Sequence, residues 1–233
     1  MRSLRTLRLI ACCLALAATP VGAWTGLVDF STGLLDYAAR RFGFQAPGRL
    51  QTMQTVVRNI KTNFAVDFKQ AVEAPNEARA EMPLLRKVND FYNQVPYLSD
   101  QEHWNVEDYW ATPVEFVGSF GGDCEDYAIA KYMTLKFAGV PIERLRITYV
   151  RAIRLGVTHM VLAYYPTPDA EPWILDNLIG EIKKASARTD LVPVYSFNDD
   201  DLWMASGAVN KGSATNVRLW KDLLEKMVRE QRL

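Results

Sequence analysis

The segment from Cys124 to about Phe137 constrains the fold more than any other part of the chain. It follows Gly121-Gly122-Asp123 and reads as a helix that is apolar on most of its sides, through Tyr127, Ala128, Ile129, Ala130, Tyr132, Met133, Leu135 and Phe137. Such a helix has no face to offer to water, so it is buried and the remaining chain has to enclose it. Gly139 stands where a helix stop belongs, and Pro141 follows it.

The enclosing elements are legible from periodicity. A helical pattern runs from Leu50 to about Phe68, with Met53, Val56, Val57, Ile60 and Phe64 on one face. Ala74-Pro75-Asn76 breaks it. A second helix runs from about Glu77 to Gln94, with Met82, Leu85, Val88, Asn89 and Tyr92 at helical spacing, and Pro96 closes it. Residues 24–47 read as irregular, and residues 97–123, rich in Trp, Tyr, Pro and Gly, as a long ordered loop. Beyond the buried helix, Leu145 to Ile153, Thr158 to Tyr165, Trp173 to Leu178 and Leu191 to Phe197 are strand-like, rich in Ile, Val, Tyr and Thr. A charged amphipathic helix from about Thr215 to Glu230 ends the chain. This order predicts an α+β fold with an amino-terminal helical lobe and a buried helix packed on an antiparallel sheet.

The first 23 residues read as a targeting segment. Arg2, Arg5 and Arg8 form a positive region, Leu9 to Ala18 an apolar one, and Val21-Gly22-Ala23 a small-residue cleavage site. The apolar stretch is too short for a bilayer span of about 20 residues. A lipoprotein reading at Cys12 fails because too little apolar sequence separates it from Arg8. The expectation is an exported, periplasmic protein with residues 24–233 as one domain. Its formal charge is zero for the whole chain and mildly negative once the three arginines leave, which gives no footprint for nucleic acid. Cys12 and Cys13 leave too, so Cys124 remains as a lone thiol in a compartment that favours disulfides.

A lone cysteine there is either a small buried hydrophobe or a reactive group. At a helix start it sits by the positive end of the macrodipole, which favours thiolate. The unpaired N–H groups of that first turn suit an oxyanion, and the Gly-Gly pair leaves the backbone open to close approach. A nucleophile needs a base, and the chain has two histidines, His103 in the aromatic loop and His159 in a strand. Within that strand His159, Val161 and Ala163 share one face and Thr158, Met160 and Leu162 the other. His159 alone is as readily a satisfied core residue as a base. Asp176, a carboxylate amid apolar residues on the next strand, would orient its imidazole, or mark a strand-end turn with Asn177. Asp123, Glu125 and Asp126 crowd the thiol, either as cap and first-turn acids or as oxygen ligands of a cation. Trp110 reads equally as a groove residue and a packing one.

Four motifs resemble the bacterial transglutaminase-like cysteine proteinases: Tyr109-Trp110-Ala111-Thr112-Pro113, Gly122 through Tyr132, Thr158 through Pro166, and Leu175-Asp176-Asn177. Within that family they are similar to the periplasmic adhesin-releasing branch. The resemblance implies a papain-like, transglutaminase-like core with Cys124, His159 and Asp176 as a catalytic triad. It also implies Ca2+ as a cofactor, at Asp123, Glu125 and Asp126. The implied substrate is the amino-terminal region of a large surface adhesin, cut at a paired-alanine site so that biofilm disperses. The implied inhibitor is an inner-membrane receptor for cyclic-di-GMP. The rival expectations are a transglutaminase that passes the same thioester to an amine, and a non-catalytic calcium-dependent binding module. A catalytic zinc site is excluded by too few His and Cys ligands.

Overall fold

A computed structural model describes residues 26–71, 77–167, 169–204, 209–210 and 217–233, with side chains from 64 to 80 and at 209–210 excepted. The targeting segment expected over residues 1–23 and the position of Phe64 on its helix face lie outside that description.

The buried helix is α6, Cys124–Ala138. Every residue from Asp126 to Leu135 is buried, and Gly139 ends the helix in the left-handed region at φ 104°, which glycine reaches without strain. Helices pack on one side of it: α2 (Ala46–Ala71), α3 (Glu77–Tyr92) and α5 (Pro113–Ser119). On the other side lie β1 (Leu145–Ala152) and β2 (Val157–Tyr164).

The sheet has seven strands among the described residues and is antiparallel throughout. Its remaining strands are β3 (Trp173–Leu175), β4 (Lys183–Lys184), β5 (Leu191–Phe197), β6 (Leu202–Met204) and β7 (Val209–Asn210), in the order β4-β3-β2-β1-β5-β6-β7. One face gives Ile147, Leu162, Tyr164, Leu175 and Phe197 to the main core around α6. The other carries a separate small cluster of Val150, Val161, Ala163 and Ile174. The terminal helix α7 (Arg218–Glu230) closes the core with Trp220, Leu223 and Met227.

Three expectations need correction. Residues 24–47 are not irregular throughout, because α1 spans Thr32–Phe42. Ser31 Oγ caps it by accepting from Leu34 N–H at 3.0 Å, and Leu34 and Ala38 turn inward. The stretch 97–123 contains α5 and a short α4 (Asp100–His103), each opened by a capping box, Ser99 with Glu102 and Thr112 with Glu115. β3 stops at Leu175 instead of reaching Leu178. Asp176 Oδ1 accepts the Leu178 N–H at 3.1 Å, and this local turn takes that donor out of the ladder. No described helix is long and apolar enough to cross a membrane.

Trp220 is buried edge-on against both Tyr132 and Phe197. Trp220→Ala is expected to lower stability by about 3–5 kcal/mol, read as a fall in the urea midpoint at constant slope.

Candidate active site

α6 begins at Cys124 with Asp123 as its N-cap, so the thiol stands in the first turn of a helix whose body is buried. Its surroundings are partly set by the two preceding glycines. A Cβ on Gly122 would meet the Asp126 carboxylate at 2.3 Å and the Phe116 ring at 2.7 Å, and one on Gly121 would meet Leu98 at 2.5 Å. The close approach these glycines permit is therefore by the protein's own side chains.

The structure brings His159 and Asp176 together. His159 Nε2 and Asp176 Oδ1 are 2.7 Å apart, both side chains at most 5% exposed. Asp176 Oδ2 accepts Arg188 Nη2 at 2.7 Å, and Arg188 is fixed in turn on Asp190. Asn93 Nδ2, in the turn just past α3, donates to the Asp176 carbonyl at 2.8 Å. Burial alone would raise the Asp176 pKa. The hydrogen bond and charge of His159, the Leu178 N–H and Arg188 outweigh it and bring the value down to about 2. Lys131 of α6 adds distant positive charge. It is fully buried, without a hydrogen-bond partner and 5.8 Å from the Tyr127 ring, and burial depresses its pKa to about 7 against the pull of Asp176 and Asp90.

Cys124 meets the sheet at its open edge. β3 pairs only with Leu162, Ala163 and Tyr164 of β2, so no strand lies beside residues 159–160 on that side. There the Met160 backbone amide, next to His159 in sequence, acts on the Cys124 sulfur in favour of its thiolate. The thiol hydrogen goes elsewhere, to Glu125 Oε2 at 3.0 Å. Burial, the Glu125 charge, that hydrogen bond and Asp123 together push the thiol pKa far up, against the Met160 N–H.

The acidic residues at the α6 start form a cluster larger than the sequence alone indicates. Ligating oxygens of Asp100, Asp123 and Asp126 lie within 4.8 Å of one another, as do those of Asp100, Asp108 and Glu125. Asp100 and Asp108 belong to the Trp-rich stretch read as loop, and nothing in their spacing ties them to Cys124. The SxxE box at Ser99 is the signal that would have placed Asp100 in a helix start. Asp126 is satisfied, accepting from Ala111 N–H at 2.7 Å and Asp123 N–H at 3.2 Å. Asp100 Oδ1 and Asp123 Oδ1 are buried without a partner. Burial first and neighbouring carboxylates second raise Asp100 to about 6 and Asp123 to about 8, and lift Asp126 and Glu125 as well. The backbone N–H of Tyr109 acts against the rise at Asp100. A crowded, partly buried group of oxygens, two of them with unsatisfied lone pairs, suits a hard cation better than it suits capping alone.

The other candidates fall outside this corner. His103 Nε2 bonds Ser119 Oγ at 2.8 Å. Trp110 is buried and stacked on Phe197 at 6.0 Å, so it packs in the core, and it also lines a hollow with Asp108 and Lys226 on the side of the terminal helix.

A carboxyl whose folded pKa is raised keeps its proton where the unfolded chain has lost it. Its contribution is therefore fully present below the unfolded value and lost as pH rises through the folded one. In chelator, the melting temperature is expected to fall as pH climbs from the ordinary Asp value of 3.8 to about 8. Asp123→Asn, an equally good N-cap, should flatten that fall; an unchanged slope would remove Asp123 from the cluster's electrostatics.

Comparison with known proteins gives the chain a family. The family model of the bacterial transglutaminase-like cysteine proteinases matches residues 58–209. Among solved structures, Legionella pneumophila LapG is 38% identical with a TM-score of 0.67, over 88% of this chain and 100% of that one. Its EGTA-treated form is 39% identical at 0.66, over 86% and 98%. Its calcium-bound form is 39% identical at 0.64, over 85% and 99%. No curated protein matches.

Proposed function

The chain belongs to the bacterial transglutaminase-like cysteine proteinases, and from that membership we propose a calcium-dependent periplasmic thiol endopeptidase with Cys124 as nucleophile, His159 as base and Asp176 orienting the base. The observation that carries the reading is the buried His159–Asp176 pair, on the strand whose Met160 backbone amide acts on the Cys124 sulfur.

With Asp176 on Nε2, the proton of neutral His159 sits on that nitrogen, and Nδ1 is free to accept a proton. Nδ1 takes the thiol proton as sulfur attacks the scissile carbonyl carbon. The amides of the first α6 turn face the resulting oxyanion. The imidazolium, held by the low-pKa Asp176, then gives its proton to the departing amine, leaving a thioester on Cys124. His159 deprotonates the water that opens this thioester and frees the carboxylate product.

The acidic cluster fits Ca2+, because its donors are all oxygen and two of them are buried without partners. Asp123, Glu125 and Asp126 would hold the ion together with Asp100 and Asp108. An ion there would supply positive charge that offsets the carboxylates, leaving Glu125 less free to accept the Cys124 thiol hydrogen. The calcium-bound LapG supports this reading. Export rests on the targeting pattern of residues 1–23. The substrate and control follow from the motif resemblance: the amino-terminal region of a large surface adhesin, cut at paired alanines to disperse biofilm, with a cyclic-di-GMP receptor's periplasmic domain as inhibitor.

The test incubates purified protein with the amino-terminal fragment of an adhesin from the same genome. Discrete cleavage should be lost in Cys124→Ala and in chelator, and restored by added Ca2+. Asp176→Asn should lower kcat by about 10³–10⁴-fold. Cleavage that persists in Cys124→Ala would sink the mechanism. Loss in Cys124→Ala with full activity in chelator would keep the nucleophile and remove the ion. Amine incorporation without cleavage would favour the transglutaminase reading. By calorimetry, Asp100→Asn and Asp108→Asn should each weaken Ca2+ binding, and unchanged affinity would confine the site to the α6 turn.

A further inference from the structure

Large apolar and aromatic side chains left in water are ordinary when they occur singly. Among those exposed in the described residues, such as Phe44, Phe120, Ile153, Leu155 and Val157, Tyr97 alone carries a hydrogen-bond donor. Its backbone is held in place. Tyr97 forms a parallel β-bridge with Gly122, and the Leu98 N–H donates to the Gly122 carbonyl at 2.9 Å. Successive side chains of an extended segment point to opposite sides. Leu98 takes the inner side, where a Cβ on Gly121 would meet its Cδ1 at 2.5 Å. Tyr97 is thereby turned outward and is 58% exposed.

The bridge sets this ring beside the nucleophile. Gly122 precedes Cys124 by two residues, about 7 Å of extended chain. Burial first, then the charges of Asp123, Cys124, Glu125 and Asp100, push the Tyr97 pKa up to about 12, so the phenol keeps its proton at neutral pH. Its hydroxyl has no hydrogen-bond partner among the described residues. Tyrosine in such a place offers an apolar ring and a polar tip together, which is the combination that binding surfaces favour. The neighbouring charges select the acceptor. A carboxylate would meet the repulsion of Asp100, Asp123 and Glu125, whereas an uncharged carbonyl would not. An extended polypeptide presents such a carbonyl at every residue.

Resting on the endopeptidase reading above, we propose that Tyr97 contacts the substrate: its phenol donates a hydrogen bond to a main-chain carbonyl of the polypeptide lying across Cys124, and its ring packs on that chain. The carbonyl is not the scissile one, whose oxygen goes to the α6 amides. The contact is therefore the same before and during bond cleavage, and it governs KM while leaving kcat alone.

The test compares wild type with Tyr97→Phe, which keeps the ring and loses only the hydroxyl, on the adhesin fragment at saturating Ca2+. KM is expected to rise about 2–10-fold, the range of one net hydrogen bond, at unchanged kcat. Tyr97→Ala should raise it further. Melting temperature and Ca2+ affinity by calorimetry should stay as in wild type for Tyr97→Phe, because the hydroxyl bonds nothing within the protein. An unchanged KM in Tyr97→Phe overturns the contact and leaves the protease standing. A KM rise that comes with weakened Ca2+ binding also overturns it, by assigning the phenol to the acidic corner. So does a fall in kcat alone, which would put the phenol on the scissile oxygen. If the wild type leaves the fragment whole, the adhesin reading fails and the same comparison is made on casein. A wild type that cuts neither overturns both.

Discussion

Residues 126–135 of α6 are buried without interruption, so the start of that helix is carried into the interior and its first-turn acids go with it. On an exposed helix, Glu125 and Asp126 would be ordinary complements to the macrodipole. Here they lose most of their hydration and meet Asp100 and Asp123, held in the same corner by the folded-back segment 97–123. Burying one ionised carboxylate is already unfavourable, and several together shift toward their protonated forms. The raised Asp100 and Asp123 values follow from that placement. So does the orientation of the Cys124 thiol, which has an acidic neighbour to donate to.

The fold supplies the other half of the site from a different layer, and the brevity of β3 makes this possible. If β3 continued past Leu175, it would pair with β2 beside residues 159–160 and occupy the edge from which the Met160 backbone amide acts on the Cys124 sulfur. The turn made by Asp176 on the Leu178 N–H ends the strand and presents the carboxylate to His159 with the same oxygen. One residue thus terminates the pairing, opens the edge and orients the imidazole. The end of α3 and the turn after it secure the arrangement from outside the sheet, through Asn89 on the Gly180 carbonyl at 2.9 Å and Asn93 on the Asp176 carbonyl.

How much of this was legible depends on whether the signal was local. The buried helix stands out because its apolar residues leave no polar face. β5 runs over the predicted Leu191–Phe197, with apolar and β-branched residues bounded by breakers. The His159–Asp176 pairing could be anticipated because adjacent strands make it a short-range event. The failures are of two kinds. α1, α4 and α5 are short and rely on capping by Ser31, Ser99 and Thr112, a signal that periodicity over longer windows does not register. Asp100 and Asp108 reach the α6 turn only through the path of the segment between them and Cys124, and no spacing rule encodes that path.

The two halves of the site differ in how complete they are, and this bears on where control can act. The His159–Asp176–Arg188 chain has its Asp176 oxygens satisfied by the imidazole, the guanidinium and a backbone amide. Such a network is pre-organised, and a further charge has little left to rearrange in it. The α6 turn is the opposite case, with carboxylate oxygens unpartnered and a thiol donating to an acid instead of to a base. Added positive charge there relieves repulsion among the carboxylates and lowers the cost of a thiolate in the same step. A cation entering this corner therefore acts on the thiol's side of the site, while the His159–Asp176 pair is complete without it.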